Sequence, residues 1–175
     1  LAVDYARLMQ LGFDGLRQRA QQKLAALDMH DPEFCTKREF YQAVLIMYGA
    51  VEQYILRYAA LAEEMAAREQ EAKRKAELEQ IAANCRAVAG GAPKTFWQAL
   101  QLFHFATMLI CVESNGHSIS YGRMDQWLYP YYEADKGISK EFALELLEVE
   151  YVKLNNPTKL KDAGSMALRN GRGFG

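Results

Sequence analysis

The chain has 175 residues, of which 50% are hydrophobic and 25% are charged, enough apolar material to bury the core of one domain. Its formal net charge is -1, and Lys and Arg alternate with Asp and Glu without forming a basic block, which argues against a nucleic-acid or membrane-surface partner. The most apolar run, residues 96–112, is interrupted by polar residues and is shorter than the ~20 residues that a bilayer requires, so no transmembrane helix is predicted.

Helical periodicity dominates the first part of the chain. It predicts a helix over about residues 3–27, which the polar turn at residues 28–32 ends. Its apolar face comprises Phe13, Leu16, Ala20, Leu24 and Leu27. Thr36 and Glu39 have the spacing of a capping box and predict the start of the longest helix. Along that helix, apolar residues at spacings of four and three predict the seam of two packed helices. The seam comprises Phe40, Val44, Met47, Val51, Tyr54, Tyr58, Leu61 and Met65.

A charged stretch at residues 67–75 interrupts this seam, and a second helical arm follows it. The arm carries Leu78, Ile81, Cys85 and Val88 at spacings of three and four. Two helices joined in this way form an antiparallel hairpin, so residues 1–92 are predicted to be a helical hairpin region. Gly90, Gly91 and Pro93 end the second arm.

The next helix is apolar on every side. Thr95 and Gln98 form a capping box at its start. Because apolar residues then cover its whole circumference up to about residue 112, we expect the helix to be buried. Later in the chain, Ser139 caps another helix with Phe142, Leu146, Val149 and Val152 as its apolar stripe, and the sequence Asn155-Asn156-Pro157 stops it.

A polar stretch, ESNGHSISYGRMDQWLYPYY at residues 113–132, follows the apolar helix. The helix is expected to end at residues 114–116, and the alternation over residues 117–121 predicts one short strand that Gly122 closes. A further helix is predicted from Arg123, broken or tightened at Pro130. Unpaired polar groups in an apolar setting cost about 1 to 3 kcal/mol, so the stretch is a structural corner or the wall of a site.

Individual residues of the stretch allow both interpretations. His117 and Ser118 each offer a donor and an acceptor, which suits a polyol, but they could equally satisfy backbone amides. Arg123 and Asp125 are expected to pair with each other, with an anionic substrate facing Arg123 as the alternative. Mid-helix His104 is predicted to be a hydrogen-bonded core residue, and His30 a solvated turn residue.

The three cysteines give no disulfide framework and no zinc site, because Cys35, Cys85 and Cys111 are far apart and lack ligand spacing. A reducing, cytoplasmic location fits them best. The chain begins at Leu1 without a signal-peptide pattern and ends in GRGFG without a terminating element. We therefore expect a piece of a longer polypeptide.

The run PKTFWQALQLFHF from Pro93, followed by ESNGHSISYGRMDQWLYPYYEAD, resembles the pyruvate formate-lyase-like glycyl radical enzymes. The likeness extends to KREFYQAVLIMYGAVEQYILRYAALAEEMA and so covers nearly the whole chain. The branch it resembles includes glycerol and propanediol dehydratases, hydroxyproline dehydratase and choline trimethylamine-lyase.

The resemblance implies a ten-stranded α/β barrel inside a jacket of helices. Residues 1–175 would be a single, mainly α segment of it, in which residues 93–175 supply the buried helix, the first barrel strand and the following helices. His117 and Ser118 match residues that contact substrate hydroxyl groups in the dehydratases. No metal ligand and no catalytic residue is implied within this chain.

The family stores its radical on a glycine, installed by an iron-sulfur activating enzyme that uses S-adenosylmethionine. The radical-glycine motif is missing here, and Cys111-Val112-Glu113 has Ile110 and Ser114 where the catalytic cysteine loop needs Gly and Pro. Cys111 is therefore expected to be a helical, buried residue. The chain alone is expected to be inactive, and the parent enzyme to be a homodimer.

The resemblance implies part of a glycyl radical lyase or dehydratase, which eliminates water or an amine from a small hydroxylated substrate after a thiyl radical has abstracted a hydrogen atom. Two alternatives stay open at this point. One is formate C-acetyltransferase-type activity. The other is a catalytically inert helical module whose seam over residues 40–65 packs against a partner.

Overall fold

A computed structural model describes residues 2–114 and 119–154, which form six α-helices and confirm the mainly α prediction. The helices are α1 (Tyr5–Ala25), α2 (Phe34–Arg68), α3 (Ala72–Val88), α4 (Phe96–Ser114), α5 (Met124–Ala134) and α6 (Lys140–Lys153). Of the short strand predicted over residues 117–121, the described part shows one isolated parallel bridge, between Ala2 and Ser120. Gly122 follows with φ 62°, in the left-handed region that only glycine adopts freely.

The α2–α3 pair is the predicted helical hairpin, but the predicted seam was wrong by one position over most of its length. The buried face of α2 comprises Val51, Ile55, Ala59, Ala62 and Ala66. Tyr58, Leu61 and Met65, each directly before one of the alanines, are 43–50% exposed. Alanine lets two helix backbones approach closely, so the small residues lie in the interface and the bulky ones lie outside it.

The helix starts were predicted with mixed success. The Thr36–Glu39 capping box was wrong, because α2 already begins at Phe34 and its preceding turn is held by Asp31, which accepts a bond of 2.8 Å from the Glu33 N–H. At α4 the Gln98 N–H donates to Thr95 Oγ1 at 3.2 Å, as predicted. The Gln98 side chain in turn accepts from the Lys94 N–H at 2.9 Å. Ser139 caps α6 as predicted, accepting from the Phe142 N–H at 3.1 Å.

Pro130 was predicted to break or tighten its helix, yet α5 runs through it to Ala134. Packing on both sides of the proline explains this. Leu128 is buried before it, and after it the Tyr131 hydroxyl donates to the Met9 carbonyl of α1 at 2.8 Å. Tertiary contacts therefore outweigh the hydrogen bond that a proline removes from a helix.

Helix α4 lies at the centre of the core. Its buried residues are Phe96, Ala99, Leu100, Leu102, Phe103, Phe105, Ala106 and Thr107. The expectation of burial holds for this part, whereas Val112 near the C-terminal end of the helix is 73% exposed. None of the helices in residues 2–114 and 119–154 is both long and apolar enough to cross a membrane.

Helix α1 contains a kink that sequence periodicity did not predict. Gly12 has φ 62° and ψ -177°, a region that is almost exclusive to glycine. Here the backbone passes against residues 90–92, and the Asp14 N–H donates to the Gly90 carbonyl at 2.8 Å. A Cβ on Gly12 would lie 2.6 Å from the Ala92 nitrogen. The kink therefore lets α1 bond directly to the turn before α4.

We predict that Gly12→Ala lowers the free energy of unfolding by about 3 kcal/mol or more, because it adds both backbone strain and a backbone overlap. Gly49→Ala is the matched control, since a Cβ there meets nothing within 4 Å. It should leave stability unchanged or raise it by up to about 1 kcal/mol. Urea unfolding followed by circular dichroism measures both variants, and equal effects would contradict the role assigned to Gly12.

Candidate functional site

The predicted substrate-binding residues, His117 and Ser118, lie outside the described residues. The structure does describe the chain on both sides of them, up to Ser114 at the end of α4 and again from Ile119. These flanks are held by the N-terminal residues 2–5, which contact both. The candidate site is therefore defined by the residues that hold the chain on either side of residues 115–118.

A hydrogen bond between Tyr5 and Thr107 joins the start of α1 to α4. The two hydroxyl oxygens lie 3.0 Å apart, although the residues are 102 positions apart in the chain. Both residues are 1% exposed. Thr107 is a polar residue in an otherwise apolar part of α4, and Tyr5 supplies the partner that its burial requires.

The Tyr5 ring packs with three other aromatic rings. We call the four residues, Tyr5, Phe103, Tyr121 and Trp127, the aromatic cluster. The Tyr5 ring lies 5.1 Å from Phe103, 5.3 Å from Trp127 and 6.5 Å from Tyr121, measured between ring centroids. The Trp127 indole N–H donates to the Tyr121 carbonyl at 3.2 Å. The cluster therefore fixes Tyr121, three residues after Ser118, against α4.

Burial raises the pKa values of several groups around this cluster. It raises the pKa of Tyr5 to about 12, and the hydrogen bond with Thr107 offsets only part of that rise. Burial likewise raises the pKa of the Tyr121 hydroxyl and of the Cys111 thiol. Cys111 lies within α4, as predicted, but it is only partly buried, because the C-terminal end of the helix is less covered than its middle. A protonated thiol there is a weak nucleophile.

His104 forms a second polar contact on α4. Its Nδ1 lies 3.1 Å from Glu150 Oε1 of α6, and the two side chains are 19% and 6% exposed. The prediction of a hydrogen-bonded core histidine is confirmed. Its partner was missed, because the predicted stripe of α6 included Val149 and Val152, which are 45% and 69% exposed. The spacing of Ala143, Leu147 and Glu150 would have indicated the inward face.

Arg123 and Asp125 pair with each other, in agreement with the structural interpretation. Arg123 Nη2 lies 3.1 Å from Asp125 Oδ2, and both side chains are about two-thirds exposed or more. The hydrogen bond from Arg123 lowers the pKa of Asp125, and Asp125 in turn raises the pKa of Arg123. The pair lies at the start of α5, where the helix dipole stabilises an acidic residue.

The remaining candidate residues are explained by local contacts. His30 is exposed in its turn, as predicted, and its side chain also bonds to Asp28. In residues 2–114 and 119–154 no three His, Cys, Asp or Glu side chains come together as a metal site would require.

An apolar groove of about 480 Å³ separates α5 from α6, lined by residues that include Phe96, Leu128, Tyr132 and Leu147. Sequence patterns did not predict this groove.

The chain matches the family described as pyruvate formate lyase-like over residues 1–173. It is 62% identical over 178 residues to the (2S)-3-sulfopropanediol dehydratase of Klebsiella oxytoca, an alignment that covers 100% of this chain and 22% of that protein. Its fold is similar to the glycerol-bound B12-independent glycerol dehydratase of Clostridium butyricum, with a TM-score of 0.91 and 44% identity over 94% of this chain and 21% of that chain.

A structure concerned with 1,2-propanediol dehydration in Roseburia inulinivorans is similar as well, with a TM-score of 0.90 and 38% identity over 93% of this chain and 20% of that chain. The chain thus spans about a fifth of the length of the relatives that it matches.

We predict that His104→Leu lowers the free energy of unfolding by about 3 to 5 kcal/mol, because it leaves the buried Glu150 carboxyl without its partner. His104→Gln keeps a donor and should lose less. His30→Leu serves as the control, since the His30 side chain is 91% exposed. Chemical denaturation distinguishes them, and a His104→Leu effect as small as that of His30→Leu would contradict the pairing.

The raised pKa of Tyr5 predicts a loss of stability at alkaline pH. The unfolded chain releases this proton near the ordinary value of 10.0, whereas the folded chain holds it up to about 12. Between these values stability should fall by about 1.4 kcal/mol per pH unit for this group alone. Tyr5→Phe should make the fall shallower without abolishing it, because burial also raises the pKa of Tyr54 to about 12.

Urea midpoints measured from about pH 9 to about pH 12 test this expectation. Tyr129→Phe is the control, because Tyr129 is 57% exposed. Identical alkaline slopes in wild type and Tyr5→Phe would contradict the burial of a neutral Tyr5.

Proposed function

The chain belongs to the pyruvate formate lyase-like family, and on this premise we propose that it forms part of a glycyl radical dehydratase that eliminates water from a small hydroxylated substrate. One observation carries the proposal. The chain is 62% identical, along its whole length, to a protein named as a (2S)-3-sulfopropanediol dehydratase. The solved glycerol dehydratase, with a TM-score of 0.91, supports the same class of reaction.

The substrate class follows from the same relatives. We propose a three-carbon vicinal diol that carries a sulfonate, because the identity to the sulfopropanediol dehydratase, 62%, exceeds the 44% to the glycerol dehydratase. An uncharged diol such as glycerol or propane-1,2-diol is the second candidate, favoured by the close structural likeness to the two diol dehydratase structures. Both candidates present adjacent hydroxyl groups that need donors and acceptors.

His117 and Ser118 are proposed to supply those donors and acceptors. A neutral imidazole and a hydroxyl can each donate and accept, so together they can hold two hydroxyl groups in one orientation. Orientation of the substrate's carbon and leaving hydroxyl is the contribution we assign to this chain.

Other parts of the reaction are assigned outside this chain. In such enzymes a glycine stores the radical, which an iron-sulfur activating enzyme installs with S-adenosylmethionine, and a thiyl radical on the catalytic cysteine would remove the substrate's hydrogen atom. We propose that residues 1–175 form a single segment of the enzyme, with residues 1–92 as the helical hairpin region and residues 93–175 leading into the barrel. We also propose that the full-length enzyme is a homodimer located in the cytoplasm.

Burial of α4 supports a second contribution, the exclusion of water. Leu102, Phe103 and Thr107 are at most 1% exposed, so the core-facing side of α4 is shielded from water as far as residue 107. A radical intermediate needs such protection from side reactions.

The proposal predicts that His117→Ala and Ser118→Ala each lower kcat/KM for the diol by about 100-fold, because substrate orientation is lost. The full-length polypeptide is activated anaerobically with its activating enzyme and S-adenosylmethionine, and turnover of sulfopropanediol, glycerol and propane-1,2-diol is then measured. Electron paramagnetic resonance of the glycyl radical should give the same intensity in every variant.

His30→Ala is the matched control for a histidine that lies in an exposed turn, and it should keep wild-type turnover. Preference for sulfopropanediol over glycerol supports the sulfonate, and the reverse preference supports the uncharged diol. If His117→Ala and Ser118→Ala turn over the diol as well as wild type, the stretch is a structural corner.

A further inference from the structure

We propose that Tyr5 is a positioning residue for His117 and Ser118: its hydroxyl, bonded to Thr107, and its ring, packed near Tyr121, hold α4 and the chain after Ser118 in a fixed relation, and so position the stretch between them. The inference rests on the function proposed for His117 and Ser118 and extends it to a residue more than 100 positions earlier in the chain. Tyr5 would act through these residues and would not touch the substrate.

On the α4 side, the contact with Tyr5 is made through Thr107. Thr107 lies two helical turns before Ser114, and its hydroxyl oxygen is 3.0 Å from that of Tyr5. A hydrogen bond is directional, so it fixes the rotation of α4 about its axis in a way that apolar contacts alone do not. The rotation of α4 determines where residue 114, and hence the following chain, emerges.

The chain after Ser118 also contacts the N-terminal residues. Ala2 forms a parallel bridge with Ser120, and the Tyr5 ring lies 6.5 Å from the Tyr121 ring. Trp127 stacks on Tyr5 at 5.3 Å and donates to the Tyr121 carbonyl at 3.2 Å. Residues 2–5 therefore contact the chain two and three residues after Ser118.

One short segment, residues 2–5, contacts α4 through Thr107 and the outgoing chain through Ser120 and Tyr121. Its anchor, Tyr5, is 1% exposed and packs edge-on against Phe103 of α4 at 5.1 Å. Loss of the hydroxyl would leave the ring in place but remove the directional contact, so the flanks could shift without unfolding the protein.

The test compares Tyr5→Phe with Tyr131→Phe in the activated full-length enzyme. Each variant removes one hydrogen-bonded tyrosine hydroxyl that joins α1 to a neighbouring helix, but Tyr131 bonds the Met9 carbonyl, away from the flanks of the stretch. We expect Tyr5→Phe to lower kcat/KM for the diol by about 10-fold, since small misplacements of reacting groups are costly, with an unchanged glycyl radical signal.

Thr107→Val should have the same effect as Tyr5→Phe, and the double variant should be no worse than either, because both remove one shared bond. Equal turnover in Tyr5→Phe and Tyr131→Phe, or fully additive losses in the double variant, would overturn the proposal.

A second measurement does not depend on turnover. Amide hydrogen exchange of the peptide covering residues 113–122 should be faster in Tyr5→Phe than in Tyr131→Phe, and equal exchange would overturn the positioning role. If the activated wild type turns over none of the diols, the proposed function fails, and the exchange comparison alone then decides the role of Tyr5.

Discussion

Helix α4 carries apolar side chains around most of its circumference, so the other helices must cover it on several sides at once. Leu102 and Phe103 are fully buried, and the two polar side chains deepest along it each have a partner from another helix. Thr107 bonds Tyr5 of α1, and His104 bonds Glu150 of α6. Apolar packing alone would let α4 rotate about its axis or slide along it. These two hydrogen bonds fix both its rotation and its axial position.

A fixed α4 matters because the chain runs directly from it into a polar stretch. Polar groups placed beside an apolar core must find partners, and in a substrate-binding wall the substrate can be one of them. The N-terminal residues 2–5 and Trp127 hold the chain after the stretch against the same helix. The activity proposed for the longer polypeptide thus depends on packing contributed by residues that never meet the substrate.

Local patterns predicted the helices and several of their ends, because periodicity and capping depend on neighbours in sequence. Thr95 and Ser139 cap their helices as expected. Predictions failed where tertiary contacts decide: the alanines of α2, not the bulky seam, are buried, and α5 continues through Pro130 because Tyr131 is bonded to α1. The kink at Gly12 is set by contact with the backbone at Gly90, 78 positions later, so the neighbouring sequence gives no sign of it.

The candidate site was predictable to a different extent. The family resemblance of the polar stretch identified His117 and Ser118 as candidate substrate-binding residues. Composition and spacing alone left open whether they bind substrate or satisfy backbone amides. The residues that hold its flanks could not be predicted, since Tyr5 and Thr107 are 102 positions apart and meet only in the folded chain. His104 was recognised as a core residue, but its partner Glu150 was hidden on a helix with several other glutamates.

The most direct measurement is a crystal structure of the full-length polypeptide with a three-carbon diol bound. The account predicts that the side chains of His117 and Ser118 lie within about 2.7 to 3.2 Å of the substrate hydroxyl groups, with the Tyr5–Thr107 bond intact behind them. A diol bound elsewhere, with His117 and Ser118 paired only to backbone groups, would contradict it.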